Sequence, residues 1–330
     1  MALKALTLTA LAIGIGGLAT AYLANRQAQA AEAAYPPLGS FVEVEGGRVH
    51  YVQQGSGPHV ILLHGAGGNL REFTFDLMGR LSGTYTVTAF DRPGLGYTDR
   101  VPGVTRGPFA TEGDPPIAQA RMLRDAAEAL GIERPVVVGH SFGGIVGLGW
   151  AVLALDEESA ANPSALVSLA GVAMPWPGDL GWYYTWNGTS LGGAVAIPTI
   201  SAYVPESVVD QAIAETFTPQ DPPDGYKDYI GAPLTIRTDA FRANVRQVNT
   251  LRPHVVEMAK RYPDLTLPIE ILHGSEDTIV PFSVHTAEIA KIVTSVDVTR
   301  LEGVGHMPHH ADPEAAVAAV DRAATRAGLH

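Results

Sequence analysis

Ser141 stands in Gly139-His140-Ser141-Phe142-Gly143, a G-x-S-x-G pattern. The five residues follow an almost wholly apolar run, Pro135–Gly139, and precede an apolar stretch from Phe142 to about Leu155. A strand, a tight turn and a helix are what this pattern needs to lift a serine Oγ clear of the backbone. An ordinary Gly-Ser turn shares the letters; the strand before and the helix after favour a nucleophile. Such a serine lies at a helix N-terminus, where free N–H groups and partial positive charge favour an oxyanion.

A serine is a weak nucleophile without a base held in one tautomer by a carboxylate. Gly303-Val304-Gly305-His306 offers the base, and His273-Gly274-Ser275-Glu276-Asp277 offers two carboxylates. A second oxyanion donor must come from a flexible loop at a strand end. His64-Gly65-Ala66-Gly67-Gly68 follows the HVILL run and supplies one. By position its donor is the amide of Ala66, with Phe142 giving the other. The loop does not read as a dinucleotide cradle, because Leu70 stands where the glycine fingerprint needs a third Gly, and no Walker lysine follows.

These groups must be placed by strands and helices. Phe41–Glu45 and Arg48–Gln53 flank Gly46-Gly47 as a hairpin. His59–Leu63, Tyr85–Phe90, Pro135–Gly139, Ala165–Leu169, Pro268–Leu272 and Val296–Leu301 read as further strands. Helices are expected over Leu70–Leu81, Pro116–Leu130, Ser283–Val293 and from Pro313. Alternation of this kind implies an α/β fold: a mostly parallel sheet with helices on both faces. The candidate residues then fall at the C-terminal ends of strands, where open α/β sheets hold ligands. The rhythm breaks between about Val172 and Tyr262, a stretch with Pro clusters and most of the tryptophan, which reads as an inserted helical lid.

Five segments in this order, HGAGG (64–68), DRPGLGYTD (91–99), GHSFGG (139–144), HGSEDTIVP (273–281) and GVGHMPHH (303–310), resemble the α/β-hydrolase fold superfamily over about residues 40–328. The resemblance implies Ser141 as nucleophile, Asp277 as orienting acid and His306 as general base. It prefers Asp277 to Glu276 because the family's G-x-x-D pattern, begun at Gly274, ends there. Members similar to epoxide hydrolases and haloalkane dehalogenases carry aspartate at the elbow, so serine implies acyl chemistry instead. Hydrolysis of carboxylic esters leads; amide, thioester and carbon–carbon hydrolysis and a catalytically idle binding protein are the alternatives. No cofactor is implied. His309 and His310 look like metal ligands, but Pro308 breaks their helical spacing and no HExxH is present, so no metal is expected.

Trp176, Trp182, Tyr183, Tyr184 and Trp186 cluster at the start of the insertion. Trp176, Trp182, Tyr183 and Trp186 are candidates to line an apolar substrate pocket; packing of the insertion and contact with lipid are the other readings. Asn187-Gly188-Thr189 fits a glycosylation sequon and equally a turn. Arg92 and Asp99 are expected to pair in a structural turn.

The 330 residues are 46% hydrophobic and 17% charged, which excludes a disordered chain. Zero Cys excludes a thiol nucleophile and a thiolate metal site. A formal charge of −12 argues against a nucleic-acid partner, and the partner that the resemblance implies is a small acyl substrate. Ala5 to Ala24 is free of charge, between Lys4 and Arg26, and is long enough as a helix to be an uncleaved membrane anchor. Ala28-Gln29-Ala30 has the A-x-A form of a signal cleavage site instead. Either reading puts the catalytic body outside the inner membrane. The expected layout is a leader (1–30), a linker (31–39), a core (40–171 and 263–330) and a lid (172–262).

Overall fold

The computed structural model describes residues 2–329, with side chains described at residue 9 and over 14–329. Eight strands form one sheet: β1 (Ser40–Val44), β2 (Gly47–Gln54), β3 (His59–Leu63), β4 (Thr86–Phe90), β5 (Val136–His140), β6 (Ala165–Leu169), β7 (Ile269–Gly274) and β8 (Val296–Leu301). Their order is β1-β2-β4-β3-β5-β6-β7-β8. The β1–β2 and β2–β4 pairs are antiparallel, and every later pair is parallel. Parallel pairing sends the loops after β3, β5, β7 and β8 out of the same edge.

β5 and β6 are buried along their whole length and β3 from its second residue, which explains their mainly apolar sequences. The helix Phe142–Leu153 is buried on every side. It lies between the sheet and the helix Pro116–Ala129, and a Cβ at Gly149 would stand 3.3 Å from the Pro116 backbone. The opposite face is closed by Pro313–Arg326, whose Ala316, Ala319, Val320, Ala323 and Ala324 are fully buried at helical spacing.

Residues between β6 and β7 fold as a succession of helices, among them Trp182–Asn187, Ile197–Tyr203, Glu206–Phe217, Ala232–Thr235, Thr238–Asn249 and Leu251–Ala259. The expected helix Leu70–Leu81 is two shorter ones, Arg71–Thr74 and Leu77–Leu81, parted where Asp76 leaves helical geometry at φ −148°.

The N-terminal helix runs Ala2–Ala34, so residues 31–34, expected in a linker, are its last turn, and the Ala28–Ala30 sequence lies inside it. It packs on the insertion: Ala24 and Ala31 are buried, and Glu32 pairs with Arg237 at 2.6 Å. Among the described residues no helix is long and apolar enough to cross a membrane. The expected span Ala5–Ala24 lies in part outside the described side chains.

Candidate functional site

Ser141 sits between β5 and the helix that follows it, at φ 51° and ψ −117°. A side chain at positive φ costs about 1–3 kcal/mol and persists only where surroundings hold it. Here three backbone hydrogen bonds do so. The Ser141 N–H donates to Leu169 O, and the Ser141 carbonyl accepts from Gly144 and Val172, each at 3.0 Å. The flanking glycines are required by contact: a Cβ on Gly143 would overlap the Leu63 carbonyl, and one on Gly139 the Gly143 carbonyl.

Asp277 and His306, from the loops after β7 and β8, meet at 2.7 Å between Oδ2 and Nδ1. A carboxylate there accepts the hydrogen bond of an Nδ1–H, which leaves Nε2 of a neutral His306 with its lone pair. Asp277 Oδ1 accepts from the Ile279 and Val280 N–H groups at 2.9 Å, and Oδ2 also lies 3.1 Å from His273 Nε2. Burial alone would raise the Asp277 carboxyl; the hydrogen bonds from His273 and His306 hold it well below the usual carboxylate range. Burial lowers the pKa of His306, and the nearby His140 adds to that, against the raising effect of Asp277. Glu276, the other carboxylate of the sequence, makes no contact with His306 in the structure's described hydrogen bonds and ion pairs; its Oε1 lies 3.5 Å from Ser275 Oγ.

The 64–68 loop comes beside the elbow, since a Cβ on Gly65 would stand 3.1 Å from that of Ser141. Its amides are nearly all engaged. Gly65 N–H donates to Glu72 Oε2 (3.3 Å), Gly67 N–H to Asn244 Oδ1 (2.7 Å) and Gly68 N–H to Gly65 O (3.4 Å). The Ala66 N–H has no partner among the described residues, and the Phe142 N–H is one that its helix leaves unpaired.

Other side chains at this loop gave no local signal in the sequence. Arg92 is fully buried; it donates to His64 O at 2.7 Å and Gly65 O at 3.0 Å and lies over the Phe142 ring. It therefore does not pair with Asp99, which accepts from the Arg48 N–H instead. The insertion grips the loop too, through Asn244 and through Thr235 Oγ1, which donates to Gly67 O at 2.5 Å.

A buried carboxylate and several histidines surround the triad candidates. Glu72 Oε1 lies 2.6 Å from His140 Nδ1 and 3.5 Å from His309 Nε2. These three ligand atoms lie within 4.8 Å of one another. Two ligands of a tetrahedral ion with bonds of about 2.0 Å stand roughly 3.3 Å apart. The 2.6 Å contact is closer than that and fits an ion pair. His310 is enclosed by the Phe75, Phe217 and Tyr226 rings, and burial pushes its pKa down to about 2.

The four side chains expected at a substrate pocket, Trp176, Trp182, Tyr183 and Trp186, differ in exposure. Trp182 is 79% exposed, Trp186 53% and Tyr183 39%. Trp176 is half-buried against His285 and the core. Asn187 is buried at a helix end, which rules out its use as a glycan acceptor in this fold.

A mainly parallel sheet with a serine at positive φ on the turn leaving one of its middle strands defines a class of α/β enzymes. The chain belongs to the alpha/beta hydrolase family, whose model matches residues 60–320, and it is an enzyme of that family. It is similar to an uncharacterized protein of Mycobacterium tuberculosis, 28% identical over 295 residues, 87% of this chain and 81% of that one. A 2-hydroxymuconate semialdehyde hydrolase of Pseudomonas putida is 28% identical over 260 residues, covering 74% and 80%. Among solved structures, a membrane phospholipase A described as a bacterial virulence factor superposes with a TM-score of 0.64 at 20% identity, over 98% of this chain and 97% of that one.

Proposed function

We propose that the protein hydrolyses carboxylic esters through an acyl-enzyme. The observation that carries this is the serine held at φ 51° on the elbow, in a chain whose Asp277–His306 pair sits 2.7 Å apart at the same sheet edge. In this reading Ser141 Oγ attacks the acyl carbon while His306 Nε2 takes its proton. Asp277 keeps that nitrogen unprotonated beforehand and stabilises the imidazolium afterwards. The free amides of Ala66 and Phe142 receive the oxyanion. His306 then returns the proton to the leaving alcohol and activates the water that releases the acid. Ser141→Ala is expected to lower turnover of an ester panel by up to about a millionfold. Retained turnover would refute the assignment.

The second reading is carbon–carbon hydrolysis of a vinylogous diketone by the same three residues. It is favoured by the similarity to the semialdehyde hydrolase over most of both chains. Comparing kcat/KM for that substrate class with esters separates the two.

For location, the same proposal places the protein at a membrane, with its body on the outer side. Residues 5–25 carry no charged side chain and residues 172–205 only Asp179, and helices from the two segments pack together. Ile15, Leu18, Tyr22, Trp182, Trp186, Leu191, Val195 and Tyr203 are exposed on those segments. Large apolar patches of this kind mark protein or lipid contact. Full-length protein is expected to float with phosphatidylcholine vesicles, and a Trp182→Ser/Trp186→Ser variant to float less; a chain that stays at the bottom of the gradient refutes it.

A further inference from the structure

Glu72 is buried on the short helix behind the 64–68 loop and touches that loop, the end of β5 and the short helix Pro308–Ala311 at once. Its Oε2 accepts the Gly65 N–H at 3.3 Å, its Oε1 stands 2.6 Å from His140 Nδ1, and His309 follows at 3.5 Å. His140, itself 3% exposed, lies 3.0 Å through Nε2 from the His306 carbonyl. A carbonyl only accepts, so Nε2 carries a proton; the Glu72 carboxylate in ion-pair contact with Nδ1 at 2.6 Å favours a proton there as well. We propose that Glu72 is a positioning residue that keeps His140 a doubly protonated imidazolium, so that one carboxylate fixes the oxyanion loop, the elbow and the backbone of His306. This rests on the assignment of Ser141, Asp277 and His306 as the triad.

Several charged or titratable groups face this pair. Asp277, His306, His309 and His310 interact with His140, and His64, Arg92 and Tyr226 with Glu72. The cationic His140 ring is 4.9 Å from that of His306 and opposes its protonation.

Glu72→Gln preserves shape and the bond to Gly65 but removes the charge that His140 needs in a buried site. The expected result is kcat lower by about 10- to 100-fold, the loss that a misplacement of about 1 Å brings, with KM within about twofold. The acid limb of kcat/KM moves to higher pH, because His140 becomes neutral and no longer opposes protonation of His306. His140→Gln should behave alike, and the double variant should lose no more than the worse single one. In wild-type protein carrying 15N-labelled histidine, both ring nitrogens of His140 should be protonated at pH 7.5, with the resonance identified by its loss in His140→Gln. A neutral wild-type His140 overturns the proposal even if Glu72→Gln does not fold. So does a folded Glu72→Gln with unchanged kcat and acid limb. An active Ser141→Ala would instead overturn the triad itself, so the two failures are distinct.

Discussion

Replacing Asp277 by Asn tests the proposed role of the acid without emptying its site. In the wild-type protein Oδ1 serves two backbone N–H groups and Oδ2 faces His306 Nδ1 at 2.7 Å and His273 Nε2 at 3.1 Å. The asparagine carbonyl can keep the two backbone donors, which turns its NH2 toward both histidines. His306 then meets a donor at Nδ1, so its proton moves to Nε2 and the lone pair that should receive the serine proton is lost. For a triad aspartate this inversion costs about 10⁴ in kcat, roughly 5.5 kcal/mol of transition-state stabilisation at about 1.4 kcal/mol per decade. His273 adds a second conflict. Its Nε2 also lies 2.8 Å from Val280 O, which requires a proton there, so two donors oppose each other in a buried site. One such mismatch costs about 1–3 kcal/mol of stability, or a Tm lower by several degrees. Steady-state kinetics on a chromogenic ester, together with thermal unfolding, would read both effects. A folded Asp277→Asn enzyme within tenfold of wild-type kcat would refute the tautomer argument.

Two further outcomes follow from the same geometry. His306 must be neutral to act, and its pKa is lowered, chiefly by burial; the acid limb of kcat/KM should therefore fall below the ordinary histidine value of about 6.5, and a midpoint above it would contradict the assignment. Gly143→Ala should yield little folded protein and no serine labelling by a fluorophosphonate, because its Cβ overlaps the Leu63 carbonyl; wild-type labelling would show that the elbow differs from the one described.

The sheet was legible because its buried strands are short, apolar and bounded by turn residues. His59–Leu63 and Ala165–Leu169 begin and end at the residues read from the sequence. The elbow was legible because its signal is local: small residues two positions either side of a serine. The pairing of Asp277 with His306 needed the resemblance, since Glu276 offers the same chemistry one residue away. What stayed hidden is non-local. Nothing around Arg92 announces that it braces Gly65, and nothing around Asn244 or Thr235 announces Gly67, some 170 residues earlier. Glu72 lies in the stretch expected as one helix, Leu70–Leu81, where nothing local sets it apart from the chain's other carboxylates. The N-terminal stretch misled differently, as uniform small apolar residues give no sign of where a helix stops, and this one continues through Ala34.

The order of the strands also sets when each part of the molecule can be completed. β6 has β5 on one side from the moment both are made, but its other neighbour, β7, follows only after residues 170–268. During synthesis, when earlier segments fold first, β6 is an open parallel edge, apolar but for Ser168 and ready to pair with another chain. The Ser141 turn leans on that same strand through Leu169. A nascent molecule thus carries its strained serine before it has the carboxylate, the imidazole or the helices that cover them, and its greatest exposure to aggregation comes while the insertion is being made.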